Sequence, residues 1–436
     1  MLDLVTNFAY GTILTAPSPK TSGTSFVLNS GQGALFPSIF PFNIVVWPSG
    51  VQPSSSNAEI MTVTGRTTDT FTVTRTQESS TNQSVDVGWQ VMQGPTAKTI
   101  SDLPITSLFR QAIINGNFDV WLRGTSFTLG ATAAYTADRW YAWRSSTVTG
   151  ESVSQQAIVA SALTGSFYCA RVQRVVSDSQ TNTINLNYSM ESHDSIQLIG
   201  QTLTLSFYAR AGSNYSASSN VLVSKILTGT GTDEKSSGYT GSSTAGTQNN
   251  TLTTSWNKFT MTLTSTIGTS VTEIGINFSF TPTGTAGTND YFEITQVQLC
   301  AGGTALTFMP KSFDEELRAC KRYFEKSYDY GTALATNIDV GGSQFSSGAT
   351  SVTISNLVIL TVKFAVEKRT SPTVTTYDYV GTANKCSLMT GSSGGLTNAI
   401  ASTVDQKCTT GFRTYAAYTA TTQAGVFYQW GADAEL

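Results

Sequence analysis

Apolar side chains recur at every second position through much of this chain, the spacing of a strand with one buried face. In residues 60–64 and 70–74, Met61, Val63, Phe71 and Val73 alternate with threonines, and Gly65 to Asp69 reads as the turn of a hairpin. Residues 203–207, 259–263 and 274–278 repeat the alternation. Many such strands with turn-rich connections predict a two-sheet sandwich. Between residues 291 and 299 the phase slips: Phe292 and Ile294 share one parity, Val297 and Leu299 the other. A β-bulge near Thr295 and Gln296 would restore the buried face. Residues 228–250 are rich in Gly, Ser and Thr without periodicity, and a connection that long is either functional or mobile, the mobile reading being preferred.

One stretch has helical spacing. Phe313, Leu317, Cys320 and Phe324 fall on one face of a helix over 313–327, with Ser312 and Glu315 placed for a capping box. Asp314, Glu315 and Glu316 sit at its positive end and Lys321, Arg322 and Lys326 at its negative end, where each is favourable. Beyond it, Val358, Leu360, Val362, Phe364 and Val366 form the apolar face of one long strand, with Lys363 and Glu367 opposite. Pro372 then requires the next strand to start after a turn or at an edge. An aromatic strand over 426–430 precedes the acidic stretch 432–436.

A chain of 436 residues exceeds one hydrophobic core, and about 150 residues per domain suggests roughly three. The expected fold class is all-β. A small N-terminal β domain spans 1–107 and ends in the Pro-bearing stretch 94–104; a β-sandwich spans 108–310, a linking helix 311–330, and a C-terminal β-sandwich 331–436.

Composition agrees. Charged residues make up 12%, against about 25% in ordinary domains, and their place is taken by Thr, Ser, Gly and Asn, which suit strands and turns. With 25 basic and 28 acidic residues the net charge is -3. No basic stripe supplies the counterion release that drives nucleic-acid binding. Residues 1–4 lack the features of a secretion signal and no segment approaches the ~20 apolar residues of a membrane helix, so the expectation is a soluble protein made in a cytoplasm. Cys169, Cys300, Cys320, Cys386 and Cys408 are widely spaced and odd in number, which argues against disulfides or zinc and for buried, reduced thiols. The single histidine, His193, excludes two-histidine sites, and no metal or cofactor is expected. Thr228-Gly229-Thr230-Gly231 is followed by no helix, so no phosphate loop is expected.

Two stretches imitate catalytic sites. Residues 191–195 contain Ser192, His193, Asp194 and Ser195, but neighbours on a strand point to opposite faces and cannot form a triad. Asp233 and Glu234 could pass for a glycosidase pair, yet that chemistry needs carboxyls about 5 to 9 Å apart on a rigid frame. They lie in the segment with least order and read as solvated charge. No enzyme is expected.

The densest polar and aromatic cluster is Trp121, Arg123, Asp138, Arg139, Trp140, Tyr141 and Trp143. Aromatic faces stack on sugar rings while carboxylate and guanidinium groups fork hydroxyls, so these are the candidate carbohydrate-binding residues. The competing reading is packing. On a strand, Tyr141 and Trp143 face one way and Trp140 and Ala142 the other, and one of those faces must enter the core.

Asn115-Gly116-Asn117-Phe118-Asp119-Val120-Trp121-Leu122-Arg123, followed by Asp138-Arg139-Trp140, resembles the opening of the carbohydrate-binding-module-like jelly roll of phage tail fibre proteins. In that family a Gln-Leu-Glu strand and a Cys-x-Arg-Tyr helix close the domain; here Gln298-Leu299-Cys300 and Cys320-Lys321-Arg322-Tyr323 correspond, with Cys300 in place of the Glu. Lys368-Arg369-Thr370-Ser371-Pro372 and Trp430-Gly431-Ala432-Asp433 resemble the terminal domain of such fibres. Ala58-Glu59-Ile60 with Thr74-Arg75-Thr76-Gln77-Glu78 looks like their virion-attachment module. The resemblance implies a jelly roll at 108–310 and a homotrimeric, non-enzymatic virion component. Its N-terminal domain would dock on other tail or neck proteins while distal domains recognise host surface glycan or protein, weak sites gaining from avidity. It would assemble in the host cytoplasm. A purely architectural collar, baseplate or capsid decoration fibre would use the same folds. A capsule depolymerase is disfavoured because no solenoid repeat is visible.

Overall fold

The structure is a computed structural model that describes residues 6–97, 108–144, 150–337, 344–347, 357–390, 395–416 and 424–436. The protein is all-β and divides into two compact units, Met1–Ile105 and Thr106–Leu436. The expected sandwich, helix and C-terminal part all belong to the second unit. From residue 98 to Ser107 the Pro-bearing boundary stretch lies outside the described residues.

In the first unit, β1 (Tyr10–Thr15), β2 (Ser25–Leu28), β3 (Phe42–Trp47), β4 (Glu59–Thr67), β5 (Thr70–Thr74) and β6 (Gln90–Met92) close into an antiparallel barrel in the order β1-β2-β5-β4-β3-β6. The alternation read in the sequence holds: Met61, Val63, Phe71 and Val73 are all buried, with Phe26, Phe42 and Ile44 in the same core. The hairpin turn is tighter than expected, because β4 runs on to Thr67 and only Thr68, at φ 53°, and Asp69 reverse the chain. Asp69 then caps a neighbouring loop, accepting from the amides of Gly31 at 3.0 Å and Gly33 at 2.7 Å. Inside the barrel wall, Arg75 grips the buried Glu59 with two bonds of 2.9 and 2.6 Å. Burial alone would raise the Glu59 carboxyl, but Arg75 and the amides of Gln83 and Thr76 outweigh it and hold the group below its ordinary value.

The second unit begins with a two-sheet sandwich. One sheet has the order β16-β13-β18-β11-β10-β7, formed by β7 (Ser126–Thr128), β10 (Ser152–Ala157), β11 (Tyr168–Gln173), β13 (Leu203–Ala211), β16 (Asn257–Thr262) and β18 (Tyr291–Ala301). The other has the order β15-β14-β17-β12-β9-β8, formed by β8 (Ala134–Tyr135), β9 (Trp140–Arg144), β12 (Ile184–Ser189), β14 (Val221–Gly229), β15 (Ser243–Thr251) and β17 (Glu273–Phe280). The predicted bulge is present. Ser206 of β13 opposes Gln298 while Tyr208 opposes Thr295, and Gln296 takes φ 51°. The extra residue brings Phe292, Ile294, Val297 and Leu299 all to full burial.

Residues 228–250 are not the mobile connection expected. Their second half is the edge strand β15, whose outward side chains are exposed and whose inward positions are Gly246, Gln248 and Asn250 rather than apolar residues, so no apolar period marks it. The turn before it is packed, with Ser236 and Tyr239 buried.

Among the described residues, two short α-helices follow the sequence unevenly. The first, α1 (Ser192–Ile196), carries His193. The second, α2 (Phe313–Lys321), has the expected capping box: the Ser312 hydroxyl accepts from the Glu315 amide at 3.3 Å, and Glu315 accepts from the Ser312 amide at 2.9 Å. It stops at Lys321 rather than 327, because residues 324–326 join a sheet as β19 (Phe324–Lys326). The predicted stripe is therefore split, with Cys320 and Phe324 buried but Phe313 51% exposed.

The remaining strands are β20 (Gln344–Ser347), β21 (Leu357–Lys363), β22 (Thr373–Tyr377), β23 (Lys385–Thr390), β24 (Gly395–Cys408), β25 (Gly411–Ala416) and β26 (Ala424–Asp433). They form one antiparallel network in which β26 pairs with β19, β20, β22 and β23. Although β23 and β24 separate β26 from β25 in hydrogen-bonded order, Trp430 meets Phe412 at 5.5 Å. The sheet thus folds over on itself around one core. The strand expected over 358–366 ends at Lys363; Val362 is buried, Phe364 packs on Trp430 from beyond the strand end, and the side chains of Val358 and Leu360 lie outside the described residues. Of the cysteines, Cys169, Cys300, Cys320 and Cys386 are buried, whereas Cys408 is exposed where β24 turns into β25.

Candidate functional site

The predicted carbohydrate cluster comes together in space, but it is closed. Trp140 enters the sandwich core, its ring tilted against Phe118 at 4.8 Å and Tyr188 at 5.1 Å, while Tyr141 faces the opposite way onto Tyr135 at 5.4 Å. Both faces of β9 are covered there. Tyr141 is sealed by hydrogen bonds to the hydroxyls of Ser189 at 3.0 Å and Ser236 at 2.8 Å. Trp121, Asp138, Arg139, Trp140 and Tyr141 are at most 1% exposed, and the Arg123 side chain is 9% exposed. Trp143 is half-buried. Apart from Trp143, these enclosed rings and charges leave no face on which a sugar could stack, which corrects the carbohydrate reading of Trp121, Arg123, Asp138, Arg139, Trp140 and Tyr141.

What closes the cluster is its meeting with residues 323–324 and 433–435. Arg139 stacks on Tyr323 at 3.5 Å and pairs with Glu435, and Arg123 lies over Phe324 at 3.9 Å. Arg123 also reaches Asp138 at 3.2 Å and Asp433 at 3.1 Å. Burial pushes the Asp138 carboxyl up to about 7 against the pull of Arg123. The indole N–H of Trp121 donates to the Phe118 carbonyl at 2.7 Å and that of Trp140 to the Asn115 carbonyl at 3.0 Å. These tryptophans therefore satisfy the backbone of the Asn115–Phe118 turn.

The two pseudo-catalytic stretches also resolve. His193 is on a helix rather than a strand and its side chain is 83% exposed, while the Ser195 hydroxyl is buried and accepts from the Ile274 amide. They share no geometry for nucleophilic attack. Asp233 and Glu234 are fastened rather than free: Asp233 pairs with Arg369 at 2.7 Å and Glu234 accepts from the Thr240 hydroxyl at 2.9 Å.

An open site lies beside this sealed one. Asn115 at φ 56° and Phe118 at φ 55° bend the chain sharply, and Gly116 packs so tightly on the β18 bulge that a Cβ would stand 2.1 Å from the Val297 carbonyl oxygen. Turn and bulge together fix Asn117, whose side-chain amide donates to Asp119 at 3.0 Å and to the Gly165 carbonyl at 3.3 Å. Its oxygen accepts from the Ser166 hydroxyl at 2.5 Å. Gln296, at the bulge, donates to the Thr164 carbonyl at 2.8 Å. The connection between β10 and β11 is thereby tied at 164–166 and presents Phe167, 80% exposed, and Tyr168, 37% exposed.

Across from them stands Phe313, edge-on to Tyr330 at 5.3 Å. The walls enclose a cleft of about 510 Å³, also lined by Leu163, Pro310 and Lys311, within the usual size of a small-ligand site. Burial pushes the Asp119 carboxyl up to about 6, the Asn117 amide opposing and Glu316 reinforcing the shift. Rings flank a polar floor, an arrangement that can take the C–H face of a pyranose and bond its edge. Asn117 and Asp119 belong to the stretch that resembles phage fibres, but Phe167 ends an aperiodic loop, Tyr168 opens β11 and Phe313 reads as helix core. The aromatic pair behind Thr164-Gly165-Ser166 was the available signal.

No family model and no curated protein matches the chain. Among solved structures it is similar to a carbohydrate-binding module described as CBM4, with 20% identity over 43% of this chain and 98% of that one, at a TM-score of 0.28. It is also similar to the CBM22-2 xylan-binding domain of Xyn10C from Paenibacillus barcinonensis, with 13% identity over 45% of this chain and 100% of that one, at a TM-score of 0.26. A third likeness, to the enzymatically active domain of tailspike protein 4 of bacteriophage CBA120, has 13% identity over 45% of this chain and 22% of that one, at a TM-score of 0.26. Superpositions this slight carry no weight for function, and the chain is assigned to none of these families.

Proposed function

We propose that this chain is a non-catalytic, glycan-binding subunit of a bacteriophage particle, a trimeric tail fibre or tail-tip protein that meets the host surface through the cleft at Phe167. The glycan half rests on one observation: the exposed rings of Phe167 and Phe313 flank the polar floor made by Asn117, Asp119 and Ser166. Apolar rings grouped around a polar floor mark a surface made for a partner. The virion half rests on the sequence resemblance of residues 115–123, 138–140 and 320–323 to phage fibres.

Labelled full-length protein should adsorb to cells of the particle's host, and Phe167→Ala should abolish adsorption while circular dichroism stays unchanged. Immunogold labelling of intact particles should mark the distal tail. Label on the capsid or neck, together with no adsorption by the unmodified chain, would replace this reading with an architectural one.

A further inference from the structure

Resting on that reading, we infer that the cleft selects a neutral N-acetylated hexosamine over unsubstituted or acidic sugars. Three features converge on this choice.

The first is where polarity lies. Asn117, Asp119 and Ser166 occupy the floor, while Leu163, Phe167, Pro310 and Phe313 stand around it. A fully hydroxylated hexose is polar around its whole rim, so hydroxyls turned toward those walls would leave water without a replacement partner. An acetamido group instead presents an N–H donor and a methyl on separate edges, so Asp119 can take the N–H while a phenyl wall takes the methyl and the carbonyl turns to the open mouth of the cleft.

The second is a free acceptor with a fixed direction. Asn117 is orientated by the Ser166 hydroxyl on its oxygen, so its amide N–H must point at Asp119, where it engages Oδ2. Among the described residues no hydrogen bond reaches Asp119 Oδ1. That oxygen is held in place to receive an N–H from a ligand.

The third is charge. Glu316 lies close enough to raise Asp119, and Lys311 is the one base lining the cleft among the described residues. A uronic or sialic carboxylate would bring a further negative charge to a partly desolvated acidic site, which disfavours it.

The test is titration calorimetry of the full chain with matched oligosaccharides of N-acetylglucosamine, glucose and galacturonic acid, alongside saturation-transfer NMR. The acetylated sugar should bind at least tenfold tighter than the other two, with the strongest transfer at the acetyl methyl, and Asp119→Asn should erase most of the preference. Equal affinity, or tighter binding of glucose or galacturonate that Phe313→Ala removes, would overturn the sugar class while leaving glycan binding intact. If no sugar binds and Phe167→Ala adheres to host cells as well as the unmodified chain, both readings fall.

Discussion

Two clusters of similar chemistry grow from one stretch of sequence and end differently. Asn117 and Asp119 open into a cleft, while Trp121 and Arg123, a few residues on, are sealed with Asp138, Arg139 and Trp140. Each combines carboxylate, hydrogen-bond donors and aromatic rings. Their fates are decided by what packs on them: Tyr323, Phe324, Asp433 and Glu435 cover the second cluster, whereas the loop carrying Phe167 is tied back by Gln296 and leaves the first uncovered. Residue types propose a binding site, but the neighbouring segment determines whether a ligand can reach it.

The contrast can be broken at either end. The largest effect is expected from Arg139→Ala, which leaves the buried Glu435 with only the longer pair to Arg123 at 3.4 Å and the Ser189 carbonyl without its donor, and should cost about 3–5 kcal/mol of stability in chemical denaturation; a loss below about 1 kcal/mol would mean the cluster is not truly closed. Gly116→Ala drives a methyl into the Val297 carbonyl and should cost about 1–3 kcal/mol while also weakening sugar binding, since the same contact positions Asn117.

Phe167→Ala should do the reverse of Arg139→Ala, changing stability by less than about 0.5 kcal/mol but weakening glycan binding tenfold or more. Substantial destabilisation would show that the exposed ring has a structural role.

The smallest effect is on pH dependence. Above about 6 the Asp119 carboxylate is the stronger acceptor, and below it the group is protonated, so affinity should fall several-fold from pH 7 to pH 5. Glu316, Lys311 and Tyr330 are the other titratable groups around it, and Asp119→Asn should flatten the profile if Asp119 is responsible.

The sequence exposed most where burial imposes a period. Met61, Val63, Phe71 and Val73, and the parity slip that placed the bulge at Gln296, were legible because one face of each strand must be apolar. Edge strand β15 was not, since its inward positions, Gly246, Gln248 and Asn250, are not apolar and so show no period. The early end of α2 was hidden because Phe324 fits a helix stripe and a buried strand equally well. Cys408 looked like its four buried counterparts because a thiol carries no mark of exposure. The cleft was the least visible of all: its walls come from an aperiodic loop and a helix end, and its floor from a turn that serves packing as much as binding. The aromatic cluster misled for the opposite reason, being conspicuous in sequence and enclosed in space.

The partners of Arg123 and Arg139 lie 310 and 296 positions further along the chain. During synthesis both guanidiniums emerge from the ribosome long before Asp433 and Glu435, with only Asp138 made early enough to pair with Arg123, so the nascent sandwich must wait with a charged seam still in water. The seam closes only when translation reaches Asp433 and Glu435, which makes that late-made stretch the latch of a domain begun hundreds of codons earlier.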